Sequence, residues 1–373
     1  DGGVIGYGEA YDAAFDPHLT VKLIEDVAGR YLVGRDPHDI ENFFRLCYSS
    51  GFSQRPDMTM MACCSALEMA CWDIIGKAAG KPAYELLGGK VHERLRSYTY
   101  LYPADGDVYP DPDKPNVYND ADMAAEAAAK AVDQGFTAVK FDPAGAYTIY
   151  DGHQPSLEDL ERSEAFCKQI RAAVGAKADL LFGTHGQFTV SGAKRLARRL
   201  EAYDPLWFEE PIPPEKPEDM AEMARFTSIP VATGERLCTK YEFSRVLETG
   251  AASILQMNLG RVGGLLEAKK IAAMAECHSA QVAPHLYCGP LVALANIQLA
   301  TCSPNFLVLE SILTFDGFFA DLLKTPIRWE NGYIIPSKEP GLGHDLNEDV
   351  ARANPYTGTE LHLGFQETPA LPL

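Results

Sequence analysis

The sequence is short of positive charge. Its 373 residues carry 33 Lys and Arg against 52 Asp and Glu, a formal net charge of −19 with a pI near 4.9. A protein that grips a phosphate backbone needs a basic face, so no nucleic acid is expected as a partner. An uninterrupted apolar run of about 18 residues is also missing, so no membrane span is expected. The nine cysteines are odd in number and include no CxxC pair. That argues against a disulfide framework and for free thiols in a reducing, cytoplasmic compartment. No glycine-rich phosphate loop follows an early strand, which weighs against an open dinucleotide-binding sheet. The start of the chain lacks something too. Asp1-Gly2-Gly3 reads as a hairpin turn into a strand-like Val4-Ile5-Gly6-Tyr7, and a hairpin needs a strand before its turn. A first strand is therefore expected to precede residue 1.

What is present is a regular alternation. After an N-terminal region of one strand and several helices, short β-branched or aromatic runs appear at 97–102, 138–141, 180–183, 206–209, 231–233, 253–257, 281–283 and 306–309. Between them lie Ala-, Glu-, Lys- and Arg-rich runs at 120–134, 157–174, 191–202, 217–226, 240–248, 263–276 and 291–300. Eight strands alternating with helices imply parallel βα units, and eight such units imply a closed (β/α) barrel of the α/β class. The alternation stops near residue 325. Two long loops, 103–119 and 143–155, are candidates for covering a binding site.

In a barrel of this kind the chemistry sits where the strands end. Read in order, the strand ends carry Lys140 and Asp142, His185, Glu209 and Glu210, Glu235 and Arg236, Asn258, His285, and Glu310. A single strand-end carboxylate is usually solvated or ion-paired. Polar groups after seven strands of eight, converging on one rim, are a different matter. Two carboxylates with a further ligand and waters make a hard-oxygen site suited to Mg²⁺. Lys140 beside them would hold an anionic group of the substrate, and His285 would move a proton.

These residues resemble a known family. Leu67-Glu68-Met69-Ala70-Cys71-Trp72-Asp73-Ile74-Ile75-Gly76-Lys77 leading to Leu86-Leu87-Gly88-Gly89 is similar to a signature of the enolase superfamily, mandelate racemase subgroup. So are Trp207-Phe208-Glu209-Glu210-Pro211, Ala232-Thr233-Gly234-Glu235-Arg236, Gly260-Arg261-Val262-Gly263-Gly264 and Ala283-Pro284-His285. The resemblance runs over nearly the whole chain. It implies an enolase-type barrel over 96–325. It also implies an α+β capping domain made from both chain ends, 1–95 and a returning segment 326–373. One Mg²⁺ per subunit would assist removal of a proton next to a carboxylate, through an enediolate, and a homo-oligomer would be usual.

By the same resemblance Glu209 and Glu235 are metal ligands. His285 is the base or acid, Glu310 bonds the substrate carboxylate or enediolate, and Lys140 is the first lysine of a KxK pattern. His185-Gly186-Gln187 resembles the HGR segment of the galactonate dehydratase type, whose His protonates a departing hydroxyl. Glu210, Arg236 and Asp142 are expected to line the substrate's place. So is Tyr147, in a loop that also carries Tyr150 and His153.

Three positions depart from the pattern. Gly183 stands where the family has a metal-binding aspartate, so His185, or else Asp142, is the candidate third ligand. Asp142 replaces the second lysine of KxK. Asn258 replaces the aspartate that partners the strand-seven histidine, and an amide supports an imidazolium less well than a carboxylate. These changes weaken one face for proton transfer and favour dehydration over racemisation. The expected activity is a sugar-acid dehydratase giving a 2-keto-3-deoxy acid. An isomerase or cycloisomerase working through the same enediolate, or a non-catalytic sugar-acid-binding protein, are the alternatives.

Overall fold

Each short apolar run is too brief to bury itself and pairs with the next. The computed structural model describes residues 2–11, 16–52, 57–103, 114–145 and 152–357. Its barrel strands are β1 (Leu95–Tyr100), β2 (Ala138–Phe141), β3 (Asp179–Phe182), β4 (Trp207–Glu209), β5 (Val231–Thr233), β6 (Ile254–Leu255), β7 (Gln281–Val282) and β8 (Leu309–Ser311). Neighbours from β1 to β7 pair in parallel, and β8 pairs in parallel with β1. The ring closes between β7 and the approach to β8. Val282 N–H donates to the Asn305 carbonyl at 3.0 Å, and Leu307 N–H donates to the Val282 carbonyl at 2.9 Å. Strand eight thus begins later than the sequence suggests. The 306–308 stretch meets β7 at a single bridge, and Glu310 lies within β8 rather than after it.

Side chains alternate across a strand, so one set from each strand points inward. Tyr98, Ala138, Leu181, Trp207, Ala232, Ile254, Ala283 and Val308 form one buried cluster, drawn from every strand or its flank. Two residues further along each strand the same inward direction recurs, and the types change to Tyr100, Lys140, Gly183, Glu209, Gly234, Gln256, His285 and Glu310. An apolar plug therefore sits beneath a polar layer at the C-terminal mouth.

The helices outside the barrel come after four N-terminal ones, α1 (Pro17–Tyr31), α2 (Ile40–Tyr48), α3 (Met58–Ala79) and α4 (Ala83–Leu86). Then come α5 (Ala121–Gln134), α6 (Leu157–Val174), α7 (Val190–Leu200), α8 (Pro217–Phe226), α9 (Thr239–Thr249), α10 (Leu265–Cys277) and α11 (Pro290–Thr301). Beyond β8 lie α12 (Phe318–Asp321), a hairpin of β9 (Trp329–Glu330) and β10 (Tyr333–Ile334), and α13 (Glu348–Ala353). All nine cysteines are free. Among the described helices α3 alone is long and apolar enough to cross a membrane, although no uninterrupted run of that length exists; 67% of its most apolar window is buried against the rest of the protein.

Residues 2–11 form no strand. Gly6 and Gly8 let the segment lie directly on α3, because a Cβ there would come within 2.1 Å of the Ala70 carbonyl oxygen and 1.9 Å of the Ala66 one. The C-terminal segment returns to the same helix, where Leu342 N–H donates to Asp73 Oδ1 at 2.9 Å and Lys77 pairs with Asp345 at 2.6 Å.

Two N-terminal carboxylates cap barrel helices. The first turns of α10 and α11 have no capping side chain of their own, although their free N–H groups need acceptors. Glu68 of α3 accepts from Leu265 and Leu266 N–H at 2.7 and 2.9 Å. Glu9 accepts from Gly289, Leu291 and Val292 N–H at 2.5, 3.1 and 3.1 Å. The N-terminal region is thereby fixed over the strand-six and strand-seven side of the mouth.

Candidate active site

Lys140, buried at the end of β2, points its ammonium across the mouth to Glu209 at the end of β4. Nζ lies 2.6 Å from Glu209 Oε1 and 3.8 Å from Glu310 Oε1. Burial lowers the lysine's pKa, but the charges of Glu209 and Glu310 outweigh it and hold the group well above its ordinary value. Lys140 is thus a fixed cation. Gln256 Nε2 donates to the other Glu209 oxygen at 2.8 Å. Glu310 accepts the Leu286 N–H at 2.7 Å, and burial, only partly offset by Lys140, raises its pKa to about 7.

Glu235 follows β5 and is flanked by both histidines. His185 Nε2 is 4.0 Å from its Oε1, and His285 Nε2 is 3.3 Å from its Oε2. Burial opposes ionisation, but the surrounding cationic groups hold the carboxyl below its ordinary range, so it is an anion. Its Oε2 is buried and accepts no well-aligned hydrogen bond from the described residues.

The histidines differ in what stands behind them. His185 Nδ1 faces Asp142 Oδ2 at 3.0 Å. Burial lowers its pKa, yet Glu235 and the Asp142 bond more than compensate and raise it to about 9. His285 Nδ1 instead faces Asn258 Nδ2 at 2.9 Å. Burial dominates there, and its pKa falls to about 3. The ring is closed in by Tyr11, whose centroid is 6.0 Å away, and Arg261 lies over Tyr11 at 3.8 Å.

Glu210 and Arg236 are committed to each other and to the scaffold. Arg236 Nε donates to Glu210 Oε2 at 2.8 Å, and its NH2 donates to the His185 carbonyl at 2.9 Å. Glu210 is fully buried and accepts a further bond from Thr233 Oγ1 at 3.3 Å. Through Arg236 the pair is tied to the His185 backbone. Tyr147 and Tyr150 lie outside the described residues. His153 pairs by its backbone with Gln187 and Thr189 and packs its ring edge-on against Phe188.

Among the described residues no three His, Cys, Asp or Glu side chains form a closed metal-binding cluster. His185 turns Nε2 toward Glu235 Oε1 at 4.0 Å, and Asp142 bonds its other ring nitrogen. Gly183 adds nothing, and a Cβ there would lie 3.2 Å from the Lys140 Cε. The donor set is two carboxylates, one with an unspent buried oxygen. That set fits Mg²⁺, which is commonly bound by one or two carboxylates with water and substrate oxygens completing its shell.

Gln256 and Tyr11 were not anticipated. Gln256 follows from the same two-residue inward step that yields Lys140 and Glu209, so a stricter register would have found it. Tyr11 arrives from the far end of the chain and left no local signal.

The chain is similar to known proteins over most of its length. Residues 122–350 match the enolase C-terminal domain-like family, and residues 1–88 match the mandelate racemase/muconate lactonizing enzyme N-terminal domain. The chain is 34% identical over 355 residues to a D-galactonate dehydratase of Verminephrobacter eiseniae, covering 93% of this chain and 87% of that one. It is 31% identical over 366 residues to a D-xylonate dehydratase of Haloferax volcanii, covering 97% and 85%. A solved structure of the mandelate racemase/muconate lactonizing enzyme type from Labrenzia alexandrii DFL-11 is 86% identical. It superposes with a TM-score of 0.94 over 98% of this chain and 91% of that one.

Proposed function

The chain belongs to the enolase superfamily, in its mandelate racemase/muconate lactonizing enzyme group, and on that premise we propose that it is a sugar-acid dehydratase. The substrate is an aldonate or aldarate. Its C2 proton is removed beside the carboxylate, the 3-hydroxyl leaves as water, and the enol becomes a 2-keto-3-deoxy acid. The observation that carries this reading is one arrangement at the mouth: a buried, permanently charged Lys140 paired with Glu209, and an anionic Glu235 flanked by two imidazoles.

Such a carbon acid is weak, and the charge that develops on its carboxylate must be met by groups already in place. Lys140 supplies a fixed positive charge and requires no reorganisation. Glu310, close to Lys140 and with its pKa near 7, hydrogen-bonds the enediolate edge of the substrate. The two imidazoles supply the proton transfer and hydrogen bonding that elimination needs. Members of the superfamily characteristically bind Mg²⁺, and here Glu209 and Glu235 would hold one ion per subunit. When bound, that ion supplies Lewis-acid stabilisation of the same negative charge. In this reading residues 1–95 and 326–357 form the cap over a 96–325 barrel, with Tyr11 closing over His285.

The test is a panel of aldonic and aldaric acids incubated with Mg²⁺ and assayed for 2-keto acid. Turnover of at least one member is expected. No turnover across the panel by folded, Mg²⁺-loaded protein would refute the reading.

A further inference from the structure

One hydroxyl in the barrel interior has nothing to bond. Tyr98 points inward from β1, is fully buried, and belongs to the apolar cluster beneath the polar layer. Its ring is fixed edge-on against Trp207, with centroids 5.3 Å apart at 81°. Its backbone is tied to β8, where Ser311 Oγ donates to the Tyr98 carbonyl at 2.9 Å. The phenol oxygen makes no well-aligned hydrogen bond with the described residues. A buried hydroxyl without a partner lowers stability, and a phenylalanine ring would fill the same place without that penalty. Packing alone therefore does not account for tyrosine at this position.

A carboxyl beside it is also loosely held. Tyr98 and Glu310 are direct partners in the β1–β8 ladder. Of the two Glu310 oxygens, Oε2 accepts the Leu286 N–H at 2.7 Å. Oε1 is 3.8 Å from Lys140 Nζ, which is beyond hydrogen-bond reach, and Lys140 is drawn instead to Glu209 at 2.6 Å. Burial raises the pKa of the Tyr98 phenol, and the charge of Glu310 raises it further, ahead of the opposing effect of Lys140. The hydroxyl thus stands beside Glu310, beneath the polar layer.

Within the dehydratase reading, in which Glu310 hydrogen-bonds the enediolate edge of the substrate, we infer that Tyr98 is a positioning residue whose hydroxyl donates to Glu310 from beneath once the substrate engages that carboxyl from above. The hydroxyl is unspent in the resting protein. The bond forms as the carboxyl turns to the substrate, and it fixes the direction of that carboxyl where charge develops. The phenol keeps its proton throughout and only shares it. A local penalty in stability is thereby tolerated at a place where it serves the reaction.

The test is Tyr98→Phe, which removes the oxygen and leaves the ring. Without substrate, its denaturation midpoint is expected to equal or exceed that of the natural protein. A lower midpoint would show that the hydroxyl is already bonded at rest and would overturn the inference. This arm needs no turnover, so its failure is separate from failure of the dehydratase reading.

The second arm follows C2-proton exchange in D₂O with Mg²⁺, using an active acid from the aldonate and aldarate panel. Exchange at C2 needs only the enediolate, so it is readable whether or not water is lost afterwards. A hydrogen bond to a charged group is worth about ten- to a hundredfold in rate. In Tyr98→Phe, kcat for exchange is expected to fall by that factor while KM holds. A structural role would lower stability and would not single out kcat. An unchanged kcat, or a rise in KM alone, would overturn the inference. A crystal structure of the natural protein with Mg²⁺ and the hydroxamate of that acid, an imitation of the enediolate, identifies the acceptor. The phenol oxygen is expected within about 3 Å of a Glu310 oxygen, and a phenol bonded to Glu209 or still unbonded would contradict the assignment.

Discussion

His185 and His285 each lie three residues past the last residue of their strands, Phe182 and Val282. They face one carboxylate, Glu235, from 4.0 and 3.3 Å. What stands behind each ring differs: a carboxylate from the strand-two side, an amide from the strand-six side. One pKa rises to about 9 and the other falls to about 3. Equivalent places on the barrel therefore do not give the two imidazoles the same environment: Glu235 and the Asp142 bond outweigh burial at one, and burial dominates at the other. In this chain a carboxylate just past strand two backs one ring, and an amide past strand six backs the other.

The comparison breaks most sharply if that carboxylate is made an amide. Asp142→Asn would make the His185 side a copy of the His285 side, and a wrong tautomer of that kind costs about 10⁴ in kcat. Turnover should fall by that order while the protein stays folded, and a loss under tenfold would mean that Asp142 does not direct His185. A change in the shared cation comes next. Lys140→Met leaves Glu209 buried against Gln256 alone, and breaking a buried pair costs roughly 3–5 kcal/mol. Chemical denaturation should show that loss, together with collapse of turnover; full stability would contradict the buried ion pair.

The two sides should also respond to pH with opposite sign in the Mg²⁺-free protein. The raised pKa of His185 contributes stability that is present below about 6.5 and lost as pH rises through about 9. The lowered pKa of His285 contributes stability that is present above about 6.5 and lost as pH falls toward about 3. His185→Gln should therefore flatten the alkaline limb of the stability profile, and His285→Gln the acid limb. Both changes on one limb would contradict the opposite wiring. The smallest effect is expected at a site remote from both rings. Glu68→Gln weakens the cap on α10 at a cost of about 0.5–2 kcal/mol, read from the melting temperature. The NMR signals of the two histidine rings should not move, and their movement would show that this cap also sets the mouth.

The barrel was legible because it repeats. Helical and strand periodicities alternate eight times, and that regularity places Lys140, Glu209, Glu235, His285 and Glu310 on one rim with no knowledge of contacts. Glu310 was one step off, because strand eight pairs later than its apolar run. The wiring among these groups was not legible. Asp142 read as a stray carboxylate near a metal, and only the fold shows that it faces His185. Asn258 read as a weakened partner, and its orientation depends on a backbone N–H two residues on. The strand-like run at 4–7 pairs with no strand among the described residues, and its Gly6 and Gly8 lie against α3. The caps made by Glu9 and Glu68 join residues about two hundred or more positions apart, and no local pattern announces them.

The account rests on loss of water from a sugar acid after removal of its C2 proton. Its most direct measurement is turnover of an active acid in D₂O with Mg²⁺, followed by ¹H NMR and mass analysis of the product. The expected product is a 2-keto-3-deoxy acid, lighter than the substrate by one water and carrying one deuterium at C3. An acid of unchanged composition with deuterium at C2 would contradict dehydration and identify an isomerase.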